Sequence, residues 1–294
     1  MIIWLFDCLA RLPLWALHRL GVVVGWLTYW LSKPYAERLR HNLANALAAG
    51  QPHNSPQLGD FGRILRANVG ESGKSVLELP WIWRRPLTEV VAGVTHCHGW
   101  EHLEAARELG KGVIILTPHF GGFELIGLYV AARLPMTCMY RRPRWEVLDT
   151  LMHAGRERGQ MKLAPADLGG VRQLLKALKR GEIIGILPDQ VPSNGEGEWI
   201  PFFGRPAYTM TLIGRLMEAS AAAVVMCHVE RLPSGKGYAM YIAPLSFDAT
   251  RPVTPQMNAA LEAVIRSCPE QYLWSYNRYK VPRGVMPPDA TKES

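Results

Sequence analysis

The sequence predicts an α/β protein: a mostly parallel central sheet flanked by helices, with a hydrophobic, membrane-anchoring helix at its amino terminus. Three observations carry this reading. From about residue 89, short apolar runs alternate with longer segments of helical periodicity, which argues for parallel strands joined by crossover helices. The apolar runs are bounded by Gly, Pro and charged residues, as buried strands are. Residues 1–32 are rich in Trp, Leu, Val and Ile.

The elements follow in chain order. Residues 1–32 contain Asp7, Arg11, Pro13, His18 and Arg19, so no clean apolar run reaches the ~20 residues of a spanning helix. Trp4, Trp15, Trp26, Tyr29 and Trp30 suit a membrane–water interface, and Lys33, Arg38, Arg40 and His41 follow at once. A marginal span or an interfacial helix is favoured over a core helix, and the basic cluster puts the remainder of the chain on the cytoplasmic face. A cleaved signal peptide is rejected, because its small-residue site, Ala46-Leu-Ala48, lies beyond the basic stretch. Residues 35–48 and 57–79 read as helices joined by the polar loop 50–56. Strands are expected at 89–96, 112–116, 136–140, 183–187, 222–229 and 238–243. Helices are expected at 101–109, 122–132, 144–158, 169–179, 209–219 and 254–268. The resulting division is an anchor at 1–32, a helical segment packed on the core at 33–85, an α/β domain at 86–282 and a loose tail at 283–294.

Bulk properties narrow the class. With 48% hydrophobic and 20% charged residues the chain is globular, and its length allows an ample core. The net charge of +8 calls for an anionic partner: nucleic acid, an acidic protein, phosphorylated lipid or a membrane surface. The basic segments lack nucleic-acid recognition modules. Five scattered cysteines, none in a C-x-x-C pair, point to a reduced compartment without a disulfide framework. His96-Cys97-His98 mimics a metal site, but alternate strand residues face opposite ways, so no metal is expected.

The densest chemistry lies in Leu116-Thr-Pro-His119-Phe-Gly-Gly-Phe-Glu124. An apolar strand ends there, Gly121 and Gly122 allow a sharp turn, and a helix begins. A histidine at the carboxyl end of a strand sits where open α/β sheets bind substrate. Glu124, about one helical turn later, can face the imidazole, fix its tautomer and leave the other nitrogen free to take a proton. A packed histidine beside a solvated glutamate is the plain alternative; the agreement of strand, glycines and helix start favours chemistry.

Arg141 and Arg142 follow a strand, and Gly155-Arg156-Glu-Arg158 ends the next helix. The two clusters form either an anion pocket or a solvated basic face. Asp189, in Pro188-Asp189-Gln190, closes another buried strand, where it orients an arginine or the substrate, or makes a local turn. The aromatic stretch 191–205 resembles a lid or substrate loop. Gly70-Glu-Ser-Gly73-Lys74-Ser75 imitates a P-loop, but Asn68 stands where its first glycine belongs and the segment reads as helix interior. G-x-S-x-G and H-E-x-x-H are absent, which argues against a serine hydrolase or a zinc protease.

Taken together, these motifs resemble those of the lipid A biosynthesis acyltransferases, the late acyltransferases of lauroyl and myristoyl type within the glycerolipid acyltransferase superfamily. The likeness runs through Arg38-Leu-Arg40-His41-Asn42-Leu43, His119-x-x-x-x-Glu124, Tyr140-Arg141, Gly155-Arg156-x-Arg158, Pro188-Asp189-Gln190 and residues 269–280. Phe123 stands where Trp is frequent, and Tyr276-Asn277 where His-Arg is. The resemblance implies transfer of a fatty acyl chain from acyl carrier protein to a hydroxyacyl group of a Kdo-bearing lipid A precursor. It implies an inner-membrane protein on the cytoplasmic face, with neither a metal nor another cofactor. His119 would be the general base and Glu124 its orienting acid, with no covalent intermediate. Arg141, Gly155, Arg156 and Arg158 would bind substrate, and Asp189 would orient the arginine. A lysophospholipid or another glycolipid is the alternative acceptor for the same dyad.

Overall fold

In the computed structural model, residues 2–49, 60–143, 145–193 and 195–288 are described. The loop expected at 50–56, Arg144 and the end of the tail lie outside them. Six helices come first: α1 (Ile2–Ala10), α2 (Leu14–Leu31), α3 (Lys33–Ala48), α4 (Phe61–Leu77), α5 (Leu79–Arg84) and α6 (Leu87–Ala92). Strands and helices then alternate: β1 (Val94–His98), α7 (Trp100–Glu108), β2 (Val113–Leu116), α8 (Glu124–Ala131), β3 (Met136–Tyr140), α9 (Glu146–Arg156), β4 (Met161–Pro165), α10 (Leu168–Lys179) and β5 (Ile183–Ile186). A hairpin of β6 (Gly197–Phe202) and β7 (Arg205–Met210) precedes α11 (Leu212–Ser220), β8 (Ala223–Arg231), β9 (Tyr238–Pro244) and α12 (Val253–Ser267).

The main sheet has seven strands in the order β1-β9-β8-β2-β5-β3-β4. All neighbours run parallel except β8 and β9, which a tight connection joins antiparallel. Strands β2 and β5 are buried on both faces, which explains their unbroken runs of Val, Ile and Leu. The pleat sends Val113 and Ile115 into one core with Leu103, Leu125 and Leu128, and Ile114 and Leu116 into the other with Leu174, Leu216 and Leu261. Helices thus cover both faces, as the alternating pattern predicts.

The amino-terminal segment breaks at Pro13 into two helices. Helix α2 lies against α4 with almost nothing between the backbones: a Cβ on Gly73 would overlap the Gly21 carbonyl oxygen, and one on Gly25 that of Val69. The P-loop look-alike is therefore the middle of α4, and its glycine seats α2. Leu14, Leu17 and His18 are buried on this side. The opposite side exposes Trp15, Val23, Val24, Leu27 and Trp30, and Ile3, Trp4 and Leu5 of α1 are exposed as well. Among the described residues, no helix is long and apolar enough to cross a membrane.

Three local expectations need correction. Residues 87–92 are helix, not strand, because Pro86 starts a turn whose Val90 packs inward; β1 begins only at Val94. Strand β4 has no counterpart among the expected elements, since Met-Lys-Leu-Ala-Pro offers no clear period. Of the stretch 191–205, Val191, Pro192 and Glu196 line a cavity, as a substrate loop would, but Gly197–Phe202 is strand β6. The aromatic residues Phe202 and Phe203 are core, and Asn258 Nδ2 donates to the Pro201 carbonyl at 2.9 Å.

Two buried asparagines fix the carboxyl-terminal block. Asn42 Nδ2 donates to the carbonyls of Trp274 and Tyr276, each at 2.8 Å, and Asn68 Nδ2 to those of Glu270 and Tyr272 at 2.8 and 2.7 Å. The helix motif around Asn42 and the block after Pro269, far apart in sequence, are thus one device.

Candidate active site

The register of the central strands builds the site. Leu116 of β2 pairs with Ile186 of β5, and His119 and Asp189 each stand three residues beyond that pair. Two chains leaving adjacent parallel strands in step meet at the carboxyl edge. Asp189 Oδ1 accepts from His119 Nδ1 at 2.7 Å, and Oδ2 accepts from the His119 backbone N–H at 2.9 Å. Burial alone would push the Asp189 carboxyl up; His119 and its two hydrogen bonds, with Arg278 nearby, hold it below the ordinary aspartate value. An ionised Asp189 only accepts, so Nδ1 carries the ring proton and Nε2 the lone pair. Gln190 Nε2 lies 3.0 Å from that nitrogen.

The turn carrying His119 is held from behind. Gly121 has φ +52, and a Cβ there would overlap the Val229 carbonyl oxygen, so only glycine fits. Gly121 N–H donates to Gln271 O and Gly122 N–H to Val229 O, both at 3.0 Å, while His119 O accepts from Leu273 N–H at 3.1 Å. Arg231, wholly buried, donates to the Gly121 carbonyl at 2.6 Å and to both Glu78 oxygens at 2.8 Å. Phe123 packs on the imidazole with ring centroids 4.9 Å apart.

Glu124 does not face the imidazole. As the first residue of α8, it is carried past Phe123, where Arg156 grips both its oxygens and Trp83 Nε1 donates to it at 3.1 Å. The expected partners are exchanged: Asp189 orients the histidine, and Glu124 orients the arginine. Arg156 also lies over the Trp83 ring, 5.7 Å from its centroid.

The remaining expectations divide. Arg156 and exposed Arg141 line the same cavity as His119 and Glu124. Arg158 is turned to structure: its guanidinium donates to the backbone carbonyls of Gly155, Arg85 and Ile82. Gly155 meets protein rather than ligand, since a Cβ there would strike the Trp83 side chain. Arg142 pairs with Asp149 at 2.9 Å. Among the described residues, no cluster of His, Cys, Asp and Glu could hold a metal. Trp83 was not foreseeable, because nothing in its helix announces a partner across the fold. Gln190 stood beside a singled-out aspartate, and that adjacency was the available signal.

The cavity measures about 610 Å³. His119, Gln190, Glu124, Arg156, Asp167, Glu196 and Arg215 give it charged and polar lining, and Met136, Cys138, Met161, Leu163, Ile186 and Leu216 are among its many apolar ones. Burial pushes the Cys138 thiol up to about 12, so this sulfur is inert lining and not a nucleophile.

Comparison with known proteins is decisive about kinship. Residues 1–281 match the model of the bacterial lipid A biosynthesis acyltransferases. The chain belongs to this family. Among its relatives, the lipid A biosynthesis lauroyltransferase of Escherichia coli (strain K12) is 28% identical over 294 residues, which span 97% of this chain and 91% of the relative. The palmitoleoyltransferase of the same organism is 26% identical over 289 residues, 95% of this chain and 89% of the relative. The myristoyltransferase is 26% identical over 183 residues, 60% of this chain and 56% of the relative. The protein is an acyltransferase.

Proposed function

We propose that this acyltransferase moves a fatty acyl chain from acyl carrier protein to a hydroxyacyl group of a Kdo-bearing lipid A precursor. The observation that carries the reading is the Asp189-held imidazole of His119 lining a cavity of about 610 Å³ with many apolar side chains, in a chain of this family. The acyl chain lies among Met136, Met161 and Leu163, and its thioester carbonyl rests near Nε2. The acceptor hydroxyl gives its proton to Nε2 as its oxygen attacks the carbonyl carbon. Asp189 stabilises the imidazolium, which then protonates the departing thiolate. No enzyme-bound acyl group forms. Arg156, fixed by Glu124, turns the free side of its guanidinium to an anionic group of the acceptor, and Arg141 meets another at the rim.

The membrane side of the reading rests on the exposed Trp, Val, Leu and Ile side chains of α1 and α2, followed in sequence by exposed Arg38, Arg40 and His41. These apolar side chains lie in the cytoplasmic interface of the inner membrane, with the basic residues on phosphate headgroups. An acidic donor, a phosphorylated acceptor and an anionic surface all attract a chain of +8.

The test offers purified protein acyl-loaded acyl carrier protein with two acceptors side by side, the Kdo-bearing precursor and a lysophospholipid. Mass spectrometry is expected to find the precursor heavier by one acyl chain and the lysophospholipid unchanged. Acylation of the lysophospholipid alone would replace this reading with that of a glycerolipid acyltransferase.

A further inference from the structure

Gln190 closes the nitrogen that has to act. Because Asp189 takes the proton-bearing side of the imidazole, Nε2 presents a lone pair, and only a donor satisfies it. The Gln190 amide nitrogen, 3.0 Å away, therefore donates an N–H to the base. An alcohol reaches Nε2 only by displacing that N–H.

A second observation concerns the oxyanion. The glycine turn after His119 looks suited to stabilise negative charge with backbone N–H groups, as helix entries often do. The donors of residues 119–122 are taken. The backbone N–H of His119 goes to Asp189, that of Phe120 to Pro118 O, that of Gly121 to Gln271 O and that of Gly122 to Val229 O. The Gln190 amide lines the same cavity, touches the base and loses its acceptor whenever a hydroxyl arrives.

We propose that Gln190 is a catalytic residue: its side-chain N–H caps the lone pair of His119 in the empty site and turns to the thioester oxygen once the acceptor hydroxyl takes its place. This rests on the acyl-transfer reading above. The hydroxyl oxygen forms the new C–O bond while its proton passes to Nε2. The carbonyl π pair moves onto oxygen, where the Gln190 N–H receives it. Collapse returns the oxygen's pair to the C=O bond and breaks the C–S bond; the thiolate leaves with the C–S pair, and Nε2–H protonates it. Gln190 keeps its own protons throughout. The device also keeps the base from activating water before the acceptor is seated.

The test uses the full chain in detergent and the substitution Gln190→Met, similar in length and without a donor, with Gln190→Ala as the second variant. Two readouts are taken. One is acyl-transfer kinetics, where kcat should fall by about 10²–10³-fold, as on losing one oxyanion donor, with KM for both substrates little changed. The other needs no substrate: carbethoxylation of His119 by diethyl pyrocarbonate, followed by peptide mass spectrometry, with exposed His96 and His98 as internal references. Uncapping should speed modification of His119 relative to those two. An unchanged His119 rate in both variants overturns the cap, and an unchanged kcat overturns the oxyanion role. Wild-type protein inactive on every acceptor, with His119 unmasked in the variants, would overturn the transfer reading and the oxyanion role while confirming the cap.

Discussion

Asp189 holds His119 at two points, Nδ1 at 2.7 Å and the backbone N–H at 2.9 Å, so one carboxylate sets both the ring's tautomer and the position of its Cα. Replacing it with an amide keeps the shape but lets the side-chain NH2 compete for the ring nitrogen. Asp189→Asn should lower kcat by about 10²–10⁴-fold, with the melting temperature little altered. Full activity of this variant would show that the tautomer does not matter.

Glu124 should behave differently. Its carboxylate joins Arg156 of α9 to Trp83 of α5, and the Glu124 side chain is 6% exposed. Glu124→Ala leaves a partly buried guanidinium without its counter-charge, at a cost on the order of 2 kcal/mol. A double-mutant cycle with Arg156→Ala, read by urea unfolding, should show coupling of about 1 kcal/mol or more. Additive effects would sever the pair.

How much of this was legible in the sequence depends on the range of each contact. His119 and Asp189 were both visible, because each ends an apolar strand in a turn. Their partnership was not: it follows from the pairing of Leu116 with Ile186, a register fixed only by the assembled sheet. Five residues of chain suggested Glu124 instead, and Phe123 on the ring shows why local spacing misled. The two asparagine clamps and Trp83 join segments remote in sequence, and no periodicity reports such contacts. The hairpin is not legible because the Gly- and Pro-bearing aromatic stretch reads as a substrate loop, whereas Phe202 and Phe203 belong to the core.

The strut behind the active turn makes a pH prediction. Burial would raise the Glu78 carboxyl, but Arg231 and His18 overcome it and pull it down to about 2. The folded value lies below that of an unfolded glutamate, about 4.3, so this stability is full above that pH and fades as pH falls toward 2. About 3 kcal/mol is at stake over that window. Urea unfolding between pH 6 and pH 3 should lose stability in the wild type, and Glu78→Gln should flatten the slope while lowering stability at pH 6. Parallel slopes would remove Glu78 from the account.

Acyl-chain selection should respond to Gly185. A Cβ there would come within 2.6 Å of Met136 Cε and 2.8 Å of Cys138 Sγ, both in the cavity wall. The methionine end yields easily, whereas the cysteine sulfur, on a side chain with a single rotatable carbon–carbon bond, does not. Gly185→Ala should therefore shift donor preference toward shorter chains, measured with a series of acyl-loaded carrier proteins. An unchanged length profile would place the chain elsewhere.

The central claim is that the imidazole of His119 takes the acceptor's proton. Single-turnover transfer from acyl-loaded carrier protein to the lipid A precursor, compared between wild type and His119→Ala at matched folding, tests it most directly. The predicted result is a loss of about 10²–10⁴-fold in the rate of the chemical step, with donor binding and melting temperature retained. A variant that transfers the chain at the wild-type rate would contradict the account.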